Sequence, residues 1–338
     1  MVMLWYTLYF YLLGLLLEQA LLHGKEVFNF FTVYQIEGII SIFIFGCLTF
    51  FTIYKILNIR YQKNIACYSD FLIYITNRYS FLSHTLFLFF INLFLMICFY
   101  IMISALSTLF FYQFGVEKTL VTLAIIFICY FIFRQENLNF IYFINFILMP
   151  ILILFILCLG YNTIHLETLN FTFSTQLLKA ILYGVLYFSY NSLLMVPVLF
   201  HIKIKNKKNN FILSFLFSFI IFILTLLINL LLLSHFNLIE NTELPVFTIC
   251  ILQQNMFPFF YFFIILSAIL TTLFSSGFSF MQNIKKHRKC MLIIFLLCSI
   301  LFSFISFSHL ITIFYPLFGL LGLLQIFLIF IDKYWKFY

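Results

Sequence analysis

Charge is what this sequence has least of. Of its 338 residues, 8% are Asp, Glu, Lys or Arg and 65% are hydrophobic, where a soluble domain carries about 25% charged residues. Mean hydropathy is +1.16. That excludes a water-soluble globule and predicts a polytopic membrane protein. Long polar stretches are missing too: the longest expected loop, Asn58 to Ser80, has 23 residues, too few for a soluble domain. No CxxC occurs among Cys47, Cys67, Cys98, Cys129, Cys158, Cys250, Cys290 and Cys298. They read as small apolar fillers, not as a disulfide framework or metal site. The first 17 residues lack a basic n-region and a small-residue cleavage site, so no cleavable signal peptide is expected. The alternation of an outer-membrane barrel is also absent. Runs such as "FILSFLFSFIIFILTLLINLLLL" are apolar on every side, and helices satisfy their backbone within their own segment.

What is present is a series of apolar runs long enough to span a bilayer, which takes roughly 20 residues. Ten spans are predicted: 2–33, 36–57, 81–110, 119–133, 140–160, 177–200, 211–234, 247–280, 291–307 and 311–331. They form one transmembrane domain over 1–338, with halves at 1–160 and 177–331. The net charge is +8, and its distribution points to loop orientation, not to nucleic acid. With both termini on one side, all basic residues but Lys25, Lys118 and Lys179 fall on that side. Glu37, Glu117, Glu167, Glu240 and Glu243 fall on the other. The positive side is cytoplasmic by the usual rule, so a multi-pass protein of the cytoplasmic membrane with both termini inside is expected.

Two spans carry anomalies. Span one holds Glu18, His23, Lys25 and Glu26 within an apolar segment. An ionised group at the bilayer centre costs about 2.5–3.5 kcal/mol on insertion scales. Lys25 and Glu26 could snorkel at a helix end; Glu18 and His23 are flanked by apolar residues and fit that less well. The functional reading is a helix interrupted around a cavity. Span six, "LYGVLYFSYNSLLMVPVLFHIK", holds Ser189, Tyr190 and Asn191 ahead of Pro197. It reads either as a proline kink or as a second interruption. These are the first spans of the two halves, and paired broken helices are the sequence pointer to a secondary-transporter site. In span eight, Thr271, Thr272, Ser275 and Ser276 form one helical stripe of hydroxyls. It serves either helix packing or ligation of a small hard cation. In span ten, Pro316, Gly319 and Gly322 read as a kink with close packing.

These motifs resemble the YkvI-like bacterial membrane proteins of the amino acid–polyamine–cation transporter superfamily. That family's first helix reads like G-T-V-x-G-A-G-F-A-S-G-Q-E-x-x-x-F-F. "GLLLEQALLHGKEVFNFF" aligns with it from Gly14, and Gly24, Glu26, Phe30 and Phe31 coincide. "YFSYNSLLMVPVL" resembles the sixth-helix motif, Thr271-Thr272 the eighth, and Tyr315 to Leu323 the tenth. The family's G-A-G is Glu18-Gln19-Ala20 here, and its Ser-Gly-Gln-Glu is His23-Gly24-Lys25-Glu26.

The resemblance implies the leucine-transporter fold: an all-α membrane protein of about ten helices in a five-plus-five inverted repeat, with helices one and six broken. It implies a secondary transporter of a small, amino-acid-like solute, driven by Na⁺ or H⁺, with no other cofactor. Gly24, Lys25, Glu26, Tyr190 and Asn191 would line the substrate site. Glu18, His23, Thr271, Thr272, Ser275 and Ser276 would serve the coupling ion. The expected partners are a small solute and the lipid bilayer. A sensor subunit without transport is the rival on the same fold. An integral-membrane enzyme is disfavoured, because His84, His165, His201, His235, His287 and His309 each stand alone near a span end.

Overall fold

The structure is a computed structural model that describes residues 24–63, 65, 68–76, 84–134, 139–164, 176–200, 207–253, 256–284 and 288–331. Every regular element among them is helical. In chain order these are α1 (Lys25–Phe30), a 3-10 turn (Thr32–Tyr34), α2 (Gln35–Lys63), α3 (Tyr68–Thr76), α4 (His84–Phe114) and α5 (Lys118–Arg134). Next come α6 (Asn139–Thr163), α7 (Leu177–Leu199), α8 (Lys207–Ser234), α9 (Phe236–Ile239) and α10 (Pro245–Leu252). The last three are α11 (Phe257–Asn283), α12 (Arg288–Ser303) and α13 (Phe307–Ile331). Among the described residues six stretches are long and apolar enough to cross a membrane: Lys25–Lys63, Thr85–Phe114, Leu177–Pro197, Asn209–Ser234, Phe257–Met281 and Phe307–Ile331. Pro150–Thr163 and Lys289–Phe302 are apolar but shorter. The protein is thus a multi-pass, all-helical membrane protein.

Several expectations change. The sixth span is not interrupted: α7 runs unbroken from Leu177 to Leu199. Pro197 removes one backbone donor, but so near the helix end that only the last turn is affected. Span eight is two elements, because the short helix α10 precedes α11. The loop expected over 58–80 holds the end of α2 and all of α3.

Side chains reveal how the helices alternate. At one end of the bundle Lys55 Nζ donates to the Phe330 carbonyl at 2.8 Å, and an Arg60 guanidinium nitrogen donates to the Leu199 carbonyl at 3.0 Å. Two basic groups of α2 thereby satisfy the open carbonyls at the ends of α13 and α7, where a positive charge also suits the helix dipole. Asn210 Nδ2 donates to Asn58 Oδ1 at 2.9 Å at that end. At the opposite end Lys118 Nζ lies 3.7 Å from Glu243 Oε1, and Thr108 Oγ1 donates to Glu243 Oε2 at 3.3 Å. The core is close-packed by aromatic rings and small residues. A Cβ on Gly322 would lie 1.9 Å from the Ser189 carbonyl oxygen, so α13 and α7 touch backbone to backbone. This bears out the packing role of the Pro316–Gly322 motif. Near the Lys55 end Gln325 Nε2 donates to the Tyr68 hydroxyl of α3 at 3.1 Å. Burial pushes that phenol's pKa up, so it stays neutral.

Candidate functional site

The chain reaches the middle of the bundle through a short, sharply bounded helix. Gly24 has φ +67°, and its missing Cβ would lie 2.6 Å from a Val246 methyl. Only glycine meets both demands cheaply. Then α1 lasts six residues. Gln35, at φ +51°, turns the chain into α2. Gly38 makes that turn tight, since a Cβ there would be 2.1 Å from the Phe31 carbonyl oxygen.

Glu26, in the first turn of α1, is 1% exposed. The Tyr190 hydroxyl of α7 donates to its Oε2. The Tyr315 hydroxyl of α13 is turned to the same carboxyl. Tyr187 of α7 and Cys98 of α4 lie within electrostatic range of it. Rings fill the remaining space: Tyr190 lies 4.5 Å from Tyr315, Tyr187 is 5.4 Å from Tyr190, and Phe30 is 5.4 Å from Tyr187 (centroid distances). Oε1 of Glu26 is buried without a hydrogen-bond partner. A carboxylate so enclosed leaves its charge uncompensated and calls for a proton or a cation.

The expected substrate residues divide. Glu26 and Tyr190 meet. Gly24 packs against Val246 and Leu232. Lys25 points the other way: its Nζ donates to the Glu240 carbonyl at 3.2 Å and lies 5.1 Å from the Phe28 ring centroid. Asn191, one residue beyond Tyr190, looks out of another face of α7. Its Nδ2 donates to the Tyr187 carbonyl at 2.8 Å. With Phe45, Thr49, Phe188, Ser192, Met195 and Ile221 it lines a small cleft between α7, α2 and α8.

Of the expected ion residues, Glu18 and His23 lie outside the described residues. The stripe on α11 is in place, with Thr271, Thr272 and Ser276 buried. Each of its hydroxyls donates back into its own helix: Thr271 and Thr272 to the Ala268 carbonyl, Ser275 and Ser276 to that of Thr272. Donation leaves the hydroxyl lone pairs available, yet no hydrogen bond among the described residues joins the stripe to Glu26. Among the described residues no group of three or more His, Cys, Asp or Glu is placed to hold a metal ion.

Three participants escaped the sequence reading. Tyr315 stood in a motif read as packing, Cys98 in a set read as filler, and Tyr187 opened the sixth-helix motif without being singled out. The signals were Tyr187 and Tyr315, each of which heads a stretch that resembles the family pattern. A further polar contact links α1's turn to α8, where Thr32 Oγ1 meets Asn229 Oδ1 at 2.8 Å.

No protein-family model matches this sequence, and no curated protein does. Among solved structures it is similar to the Eremococcus coleocola manganese transporter in complex with an aromatic bis-isothiourea substituted compound. The TM-score is 0.53 at 14% identity, over 96% of this chain and 76% of that one. A likeness at that identity is one of fold: the chain shares a membrane-transporter fold.

Proposed function

We propose that this protein is a secondary active transporter of a small, amino-acid-like solute, coupled to Na⁺ or H⁺ by alternating access. The observation that carries the reading is the buried Glu26 carboxyl held between α1 and α7. Such a group is costly in a membrane interior and marks a solute or ion path. The transporter fold supports it.

A five-plus-five inverted repeat is supported by the helix pairings. Let α1, α2, α4, α5 and α6 exchange with α7, α8, α11, α12 and α13. The pairing of α2 with α7 then maps onto α8 with α1, α4 with α12 onto α11 with α5, and α4 with α13 onto α11 with α6. Likewise α6 with α8 maps onto α13 with α2, while α2 with α8, α4 with α11 and α5 with α12 map onto themselves. Two of these matches are uneven, since α8 meets α1 and α13 meets α2 less extensively than α2 meets α7 and α6 meets α8; the pairings of α4 with α5, of α7 with α13 and of α1 with α13 have no comparable counterpart among the described residues. This pattern and the helix motifs favour a ten-helix, YkvI-like member of the leucine-transporter fold. The end carrying Lys55, Arg60 and Lys63 is the cytoplasmic one by its charge. A reporter fused after Lys208 should then read as cytoplasmic and one near Glu240 as external.

Manganese, the cargo in the neighbour's name, is a poor match to a site of one carboxyl and several phenols. Hard divalent cations take about six oxygen ligands. The test is uptake by proteoliposomes, with a tritiated amino-acid mixture and radioactive Mn²⁺ supplied in parallel under a Na⁺ or a pH gradient. Gradient-driven accumulation of the amino acids supports the proposal. Accumulation of Mn²⁺ alone overturns the solute assignment, and accumulation of neither leaves the sensor reading in its place.

A further inference from the structure

We infer that the coupling ion is a proton and that Glu26 carries it, a step that rests on the transporter reading of the same site. Glu26 Oε1 has no partner, and Oε2 has the Tyr190 phenol. The other groups within electrostatic range of the carboxyl are Tyr187 on α7, Tyr315 on α13 and Cys98 on α4. All are neutral side chains in their ordinary state, so none supplies a countercharge. The nearest cation in sequence, Lys25, is tied to the Glu240 carbonyl. Among the described residues aromatic rings pack about the carboxyl, and the side-chain oxygens beside it are those of the Tyr190 and Tyr315 phenols. That set is too poor for a hard inorganic cation. A proton needs no ligand shell.

The mechanical setting fits a carrier. Glu26 rides on α1, a six-residue helix between two left-handed residues, Gly24 and Gln35. The phenols ride on α7 and α13, long helices tied at one end by Arg60 and Lys55 of α2. Movement of α1 against that frame parts Glu26 from Tyr190 and admits water to the carboxyl. The proton then leaves on the side to which the path has opened. Glu37 is the other carboxyl among the described residues that is buried with an unpartnered oxygen. It stands in the first turn of α2 at the Glu243 end of the bundle, away from the middle. Glu18, which the sequence also offers for coupling, lies outside the described residues.

Infrared spectroscopy of the reconstituted protein at neutral pH tests protonation directly, and dye-reported proton entry during uptake of the tritiated amino-acid mixture tests coupling. In Glu26→Gln the protonated-carboxyl stretch should vanish, and Tyr190→Phe should shift it; Glu37→Gln and Glu18→Gln should leave it in place. Proton entry should fall at least tenfold in Glu26→Gln, whereas Glu37→Gln should leave it unchanged. A stretch that survives Glu26→Gln, or disappears instead in Glu37→Gln or Glu18→Gln, overturns the assignment. Undiminished proton entry in Glu26→Gln overturns it as well. If the wild type takes up no solute, the transporter reading fails and the coupling role with it, whereas the spectrum still reports whether Glu26 holds a proton. The two failures are therefore distinguishable.

Discussion

The helices α1 and α7 meet at Glu26 and Tyr190, yet they are built differently. One is six residues long between Gly24 at φ +67° and Gln35 at φ +51°. The other runs 23 residues without a break, although it alone of the two contains a proline. The difference teaches which residue interrupts a helix. Proline in the last turn costs one hydrogen bond, the one its N–H would have made to the Leu193 carbonyl, and only two helical residues follow it. A left-handed residue redirects the chain itself. The polar residues of α7 also cost little, since Ser189, Asn191 and Ser192 bond back to carbonyls of their own helix. Glu26 has no such local option, because a carboxylate has no proton to donate to a carbonyl.

Substitutions can break or sharpen this contrast, with thermal unfolding in detergent as the measure. Gly322→Ala should have the largest effect, about 3 kcal/mol. Its Cβ would meet the Ser189 carbonyl oxygen, and backbone cannot give way as a side chain can. Gly24→Ala should cost about 2 kcal/mol, through its left-handed backbone and the Val246 methyl, which can rotate aside. Pro197→Ala should change stability by less than about 1 kcal/mol and leave solute exchange intact. Should Pro197→Ala exceed Gly24→Ala, the hinge lies in α7 and the comparison reverses. Thr271→Val should be smallest, within about 0.5 kcal/mol, because among the described residues its hydroxyl bonds only to a carbonyl already used by the helix. A Na⁺ dependence lost in that variant would restore the α11 stripe as an ion site.

Much of the fold was legible because membrane helices announce themselves by length and apolarity. The spans at 36–57, 119–133 and 211–234 fall within α2, α5 and α8. Composition cannot distinguish one long span from a short helix joined to a long one. The split between α10 and α11 was lost for that reason, since Pro245–Leu252 is no less apolar than α11. The proline of α7 misled for a related reason: its effect depends on how many turns lie beyond it. Of the site, Glu26 and Tyr190 could be singled out as polar residues in apolar runs. Their separation from Asn191 could not, because adjacent helical residues point about 100° apart and only packing decides which face looks where. Tyr315 heads a motif, but one that reads as packing; Cys98 is one of eight scattered cysteines, and nothing local sets it apart.

The ties from Lys25 to the carbonyl of Glu240, from Lys55 to that of Phe330 and from Arg60 to that of Leu199 share one property. In each, a basic side chain holds main chain. Every residue offers the same carbonyl, so the recipient positions are free to drift in identity while the donors are not. Charge-reversal pairs, the usual genetic probe of a contact, would find nothing at 330 or 199, whereas at 240 the Glu240 carboxylate also attracts Lys25. Comparisons of related sequences for paired substitutions would pass over the fastenings at 330 and 199 for the same reason.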